Sequence, residues 1–67
     1  MKQLKTGEEV LAEFNRYGMT ISGWARKHGL PRQIVHDVLH GRSKGRHGAA
    51  HKAAVLLGIK DGVVIEG

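Results

Sequence analysis

The sequence predicts an all-α domain of four short helices followed by a short extended tail. Two observations predict it: apolar residues recur at three- and four-residue spacing along most of the chain, and helix-capping threonines and terminating glycines punctuate those runs. A third sets its scale. Sixty-seven residues suffice for one domain, and a chain that short buries only about 60% of the surface it exposes when unfolded. With no cysteine, neither a disulfide nor a thiolate zinc site can staple the core, so support must come from helix packing or from a second copy. A homodimer is the expected assembly, and residues 1–67 are expected to form a single domain.

Thr6-Gly7-Glu8-Glu9 has the form of a capping box, in which the Thr6 hydroxyl accepts from the Glu9 backbone and the Glu9 carboxylate reaches back. A first helix is predicted over about 7–17, with Val10, Leu11, Phe14 and Tyr17 at helical spacing and Gly18 as its left-handed terminator. Two of its acids, Glu8 and Glu9, stand in the first turn, where they complement the helix dipole. Thr20 is a good N-cap for a second helix of about two turns, which carries Trp24, Ala25 and His28 inward and stops at Gly29. Gly23 inside it costs about 1 kcal/mol relative to alanine, so packing around Trp24 or a close backbone approach should account for it.

Pro31 suits the entry to a third helix, since its fixed φ is compatible there and its missing N–H is not needed. Val35, Val38 and Leu39 form the apolar stripe, Leu30 packs just before it, and Arg32, Gln33, His36, Asp37 and His40 are left on other faces. Gly41 to Gly48, "GRSKGRHG", has no apolar periodicity and reads as a basic loop. The alanine-rich segment of about 48–57 predicts a fourth helix that buries Ala50, Ala53, Ala54 and Leu57, with Gly58 as C-cap and Ile59 folding back. Asp61-Gly62 signals a turn, and the β-branched run Val63-Val64-Ile65 predicts an extended tail over 61–67, either paired with its twin or frayed.

Charge is concentrated in the middle of the chain. Residues 26–52 carry Arg26, Lys27, Arg32, Arg42, Lys44, Arg46 and Lys52 against Asp37 alone, whereas the flanking segments are nearly balanced. A basic zone of this kind favours a polyanion, of which nucleic acid is the commonest, and its bland alternative is a solvated basic face. The longest apolar run, Ala53 to Leu57, is far too short to span a bilayer, so no membrane association is expected and the chain reads as cytoplasmic.

Other chemistry is weakly signalled. His36/His40 and His47/His51 are four apart, a spacing that puts two imidazoles on one helix face, but no cysteine and few acids are present to complete a ligand set. No metal or other cofactor is expected. Ser22 and Ser43 lack a visible base and acid, and so small a helical domain offers no deep pocket, so neither enzymatic activity nor a small-molecule substrate is predicted. The single tryptophan reads as core rather than as a stacking platform. His36, His40 and His51 read as groove-side or phosphate-side donors that gain charge as the pH falls towards 6.

The stretch "WARKHGLPRQIVHDVLHG", residues 24–41, places a glycine-containing turn between two short helices inside this basic zone. Such a pair, spanning about 20–40, is a helix-turn-helix, in which the second helix projects side chains into the major groove of DNA. The residues "GMTISGWARKHGLPRQIVHDVLHG" resemble, without a gap, the helix-turn-helix of the lambda repressor-like superfamily: Gly18, Thr20, the pair Trp24-Ala25, the turn Gly29-Leu30, Val35, Val38 and the closing Gly41. With "GRHGAAHKAAVLLGIK" added, residues 6–60 look like a family of small phage-associated proteins of Mu-like transposable phages and prophages. Two positions depart from the superfamily pattern. Ile21 stands where a phosphate-gripping glutamine is usual, and Pro31 where a small polar cap is common.

The resemblance implies a DNA-binding transcriptional regulator, commonly an autorepressor that binds an inverted repeat as a dimer. Some small phage regulators of this fold sit beside anti-CRISPR genes. Arg32, Gln33, His36 and Asp37 match the base-facing positions. Arginine grips guanine O6 and N7 with two bonds, glutamine grips adenine N6 and N7, and an acid accepts from cytosine N4; the structural alternative for Asp37 is a partner for a basic neighbour on its own helix. Phosphate contacts fall to Ser22, Arg26, His40, Arg42, Lys44, Arg46 and Lys52, which position the protein without reading sequence. Glycines 41, 45 and 48 would let the loop backbone approach phosphates, with the start of the fourth helix aimed at an anion. The alternatives are a protein-interaction adaptor or a non-specific nucleic-acid-binding protein using the same basic face.

Overall fold

A computed structural model describes residues 3–65 as four helices, α1 (Gly7–Tyr17), α2 (Ile21–Lys27), α3 (Arg32–Leu39) and α4 (Gly48–Leu56), with no strand among the described residues. The all-α expectation holds, and each helix lies within about a residue of its predicted bounds. Local chemistry accounts for the first two starts. Thr6 Oγ1 accepts from Glu9 N–H at 3.1 Å while the Glu9 carboxylate accepts from Thr6 N–H at 3.0 Å, closing the capping box. Thr20 Oγ1 accepts from Gly23 N–H at 3.0 Å. Gly23 is exposed, and a Cβ there would meet only this Thr20 hydroxyl, so no helix approaches it.

All four helices end on the same device. The residue after the terminal glycine turns its N–H back to a carbonyl five residues earlier: Met19 to Phe14 (2.8 Å), Leu30 to Ala25 (2.8 Å), Arg42 to Asp37 (2.8 Å) and Ile59 to Ala54 (2.9 Å). This closure requires a left-handed residue, which only glycine adopts without strain. At Gly29, with φ 66°, it reverses the chain between α2 and α3. Leu30 thereby enters the core beside Ala25 before α3 begins.

The third helix is the centre of the packing, touching α1, α2 and α4. Its Val35 is fully buried and Val38 and Leu39 nearly so, joined by Val10 and Phe14 of α1, Ala25 of α2, and Ala53, Ala54 and Leu57 from the α4 end. The start of α1 lies so close to the end of α3 that a Cβ on Gly7 would run into the Leu39 carbonyl. Lys5 N–H donates to Gly58 O at 2.9 Å, tying the chain ahead of α1 to the end of α4.

Three packing expectations need correction. Tyr17 is 68% exposed and lies under the Arg16 guanidinium rather than in the core; the core contact of the last turn of α1 is made by Phe14, and the helix terminates at Tyr17. Trp24 is half-buried, its ring against Phe14 and His28, and small Ala25 takes the deepest place on α2. Ala50 is half-buried rather than buried, and it is its backbone carbonyl that lies near Gly45 of the loop ahead of α4. In the tail, 61–65 are non-helical and unpaired as strand, and Glu66 and Gly67 lie outside the described residues. His51 Nε2 donates to Val63 O at 2.9 Å, holding the tail along α4. Val63 and Ile65 remain 74% and 89% exposed.

Candidate nucleic-acid interface

The buried stripe of α3 leaves its opposite edge outside, and the first two residues of that edge are Arg32 and Gln33, both exposed. Each is held by an acceptor. Arg32 Nε donates to Ser22 Oγ of α2 at 2.9 Å, a bond between residues ten apart that exists only because the turn at His28–Pro31 brings the start of α3 back to the start of α2. This uses one of the five guanidinium N–H groups. Gln33 Nε2 donates to Asp37 Oδ1 at 3.0 Å, one helical turn further on, leaving its second amide N–H and its carbonyl oxygen uncommitted by that bond.

Further along α3, His36 and Asp37 are half-buried. Their Nδ1 and Oδ1 atoms stand 3.6 Å apart, and the rings of His36 and His40 lie with centroids 4.2 Å apart. His40 is exposed at the far end of α3, about 12 Å along the axis from Arg32. It lines a groove with Thr6, Gly7 and Glu8. Of the four sequence-predicted base-facing residues, Arg32 and Gln33 are thus the open pair, while His36 and Asp37 sit behind them.

The basic loop is more ordered than its composition suggests. Gly45 is buried: a Cβ on it would stand 2.8 Å from Ala54 Cβ and 3.0 Å from Ala50 O. Its N–H donates to Ser43 Oγ at 3.3 Å, and its carbonyl accepts from Lys60 Nζ at 2.8 Å. The expectation that Gly45 lets the backbone meet phosphates is therefore corrected, since that glycine faces α4. Pinning it turns the flanking side chains outward. Arg42, Lys44 and Arg46 are exposed and, with His47, line one open cleft at the start of α4. His47 was not among the predicted site residues, although its place just before a helix start was the signal for it.

Two helix starts in this region lack a side-chain cap. Pro31 precedes α3 with extended backbone and no cap bond, and His47 does the same for α4. Their first N–H groups carry the positive end of the helix dipole. The remaining predicted phosphate donors are dispersed. Arg26 is exposed in the last turn of α2, and Lys52 is half-buried in a separate groove beside Gly29–Pro31 and the tail. Among the described residues no group of three His, Asp or Glu side chains is placed to hold a metal ion, and no helix is long and apolar enough to cross a membrane. Comparison with family models, with curated proteins and with solved structures finds no match for this chain.

Proposed function

We propose that this chain is a cytoplasmic, sequence-specific double-stranded-DNA-binding regulator of transcription, acting as a homodimer on an inverted repeat. The observation that carries the reading is the pair Arg32 and Gln33: both exposed at the beginning of the helix at the core's centre, both held by acceptors, both with donors or acceptors left over. Side chains that must recognise base edges are most selective when their geometry is fixed before binding. In this reading α3 lies in the major groove as the second member of a helix-turn-helix, Arg32 reads guanine and Gln33 reads adenine.

Phosphates are met by Ser22 and Arg26 on one side and by the Arg42, Lys44 and Arg46 cleft on the other, with the uncapped starts of α3 and α4 adding oriented N–H groups. The Ser22 hydroxyl, which accepts from Arg32, retains its own proton to donate. A dimer places two such surfaces one helical turn apart on DNA. The resemblance to small regulators of Mu-like phages supports the narrower role of a phage or prophage repressor acting on its own operon.

The test compares two substitutions. Arg32→Ala should abolish preference at one base position while leaving binding to random duplex nearly intact, and Lys44→Ala should weaken all duplexes alike and reduce the salt slope by about one. Equal, uniform losses from both would reject base reading by α3. Binding to an acidic protein with no difference between duplex sequences would point to an adaptor instead.

A further inference from the structure

The carboxylate of Asp37 is the unexpected member of the α3 edge. In a region otherwise rich in cations it sits one turn behind Gln33, half-buried, and accepts from the Gln33 amide at 3.0 Å. We infer that Asp37 does not contact DNA but is a positioning residue, which fixes the amide of Gln33 so that one base pair is read through adenine. The inference rests on the proposed DNA-reading function and names what sets its specificity.

The chemistry is directional. An ionised carboxylate only accepts, so the end of the Gln33 amide that faces Asp37 must be nitrogen. That choice leaves Oε1 and the second N–H facing away from the carboxylate, the acceptor and donor that adenine N6–H and N7 require. Without Asp37 the amide rotates freely, and each productive contact must first select one orientation among several. Asp37 itself is anchored. Its main-chain carbonyl accepts the N–H groups of Arg42 and Ser43 at 2.8 and 3.2 Å, so the residue that orients Gln33 also ends the helix and starts the basic loop. A side-chain substitution leaves those main-chain bonds in place.

The charge of Asp37 supplies a second consequence. A carboxylate close to the duplex repels phosphates, so removing it should strengthen binding to random duplex while weakening discrimination at one position. A purely structural role has no such signature, because a partly unfolded domain binds all duplexes less well. Asp37→Asn is the informative companion, since a carboxamide of nearly the same shape can present either oxygen or nitrogen to Gln33.

The experiment selects binding sites for the full chain from a randomised duplex library, for wild type, Gln33→Ala, Asp37→Ala and Asp37→Asn, and measures each variant's affinity for one fixed random duplex. Alongside, the Gln33 side-chain amide resonances are recorded without DNA. The expected results are an adenine preference in wild type that falls about tenfold at the same base pair in Gln33→Ala and Asp37→Ala, tighter random-duplex binding by Asp37→Ala, and a shift of the Gln33 amide resonances when Asp37 is replaced. Loss at a base pair different from that of Gln33→Ala would make Asp37 a base contact and overturn the inference. So would a wild-type motif that Asp37→Ala leaves unchanged, or Gln33 resonances that do not move. A wild-type library without any motif would overturn the DNA-reading function and the inference with it, even if the Gln33 resonances moved.

Discussion

In the amino-terminal half, α1 and α2 each begin under a threonine whose hydroxyl takes the N–H of the third residue on, whereas α3 and α4 begin at Pro31 and His47 with no side-chain cap. Acids mark one start alone among the described helices: Glu8 and Glu9 occupy the first turn of α1, and no acid stands in the first turn of α2, α3 or α4. A capped start is satisfied from within the fold; an uncapped one is satisfied by water or by an approaching anion. The two kinds of start therefore differ in what satisfies them, while α3 itself also carries the centre of the core. One place where the halves meet is the start of α1 against the end of α3.

That meeting point gives the largest expected effect. Gly7→Ala forces a Cβ into the Leu39 carbonyl, and since both partners are backbone, neither can rotate away. A loss of about 3 kcal/mol is expected from the overpacking, seen as a lowered urea midpoint. An unchanged midpoint would mean that α1 and α3 do not seat together this closely. Next in size is Arg32→Ala, expected to cost about 1–3 kcal/mol of discrimination at one base pair, while Thr20→Ala on the neighbouring helix leaves base preference alone; anisotropy titrations on single-substituted duplexes separate them.

Thr6→Ala and Thr20→Ala should each cost about 1 kcal/mol of stability without altering duplex affinity under conditions where the protein stays folded. An affinity loss from either would erase the division between the halves. The smallest effect probes that division most finely. His47→Ser supplies the missing cap on α4 and should add about 0.5 kcal/mol of stability while lowering duplex affinity severalfold relative to His47→Ala, the control for losing the imidazole. Equal affinities for the two variants would show that the open start of α4 is not used.

The helices themselves were legible because their ends are local. Thr6 with Glu9, Thr20, and the glycines at 18, 29, 41 and 58 act on neighbours within five residues, so spacing alone exposes them. Exposure was harder to read. Tyr17 continues the apolar spacing of α1 but lies past the packed surface, and Ala25 rather than Trp24 occupies the tightest place on α2, because which residue goes deepest depends on how closely two helices approach. The close contact at Gly7 and the burial of Gly45 join residues distant in sequence and have no local signal. At the candidate interface, Arg32 and Gln33 were readable from their place at the start of α3. The Gln33–Asp37 bond also had a signal, since glutamine and aspartate four apart share a helix face and commonly bond, but the acid was read as base-facing, with a basic neighbour as its alternative partner. The Arg32–Ser22 bond depends on the turn geometry and was not readable at all.

Whether α3 reads DNA sequence is tested most directly by titrating the full chain against the duplex immediately upstream of its own gene and against a shuffled duplex of equal length. Fluorescence anisotropy at low and physiological salt supplies the readout. A preference of about a thousandfold that persists at physiological salt is the predicted result. Equal binding to both duplexes that collapses as salt rises would contradict it, reducing the basic region to backbone attraction alone.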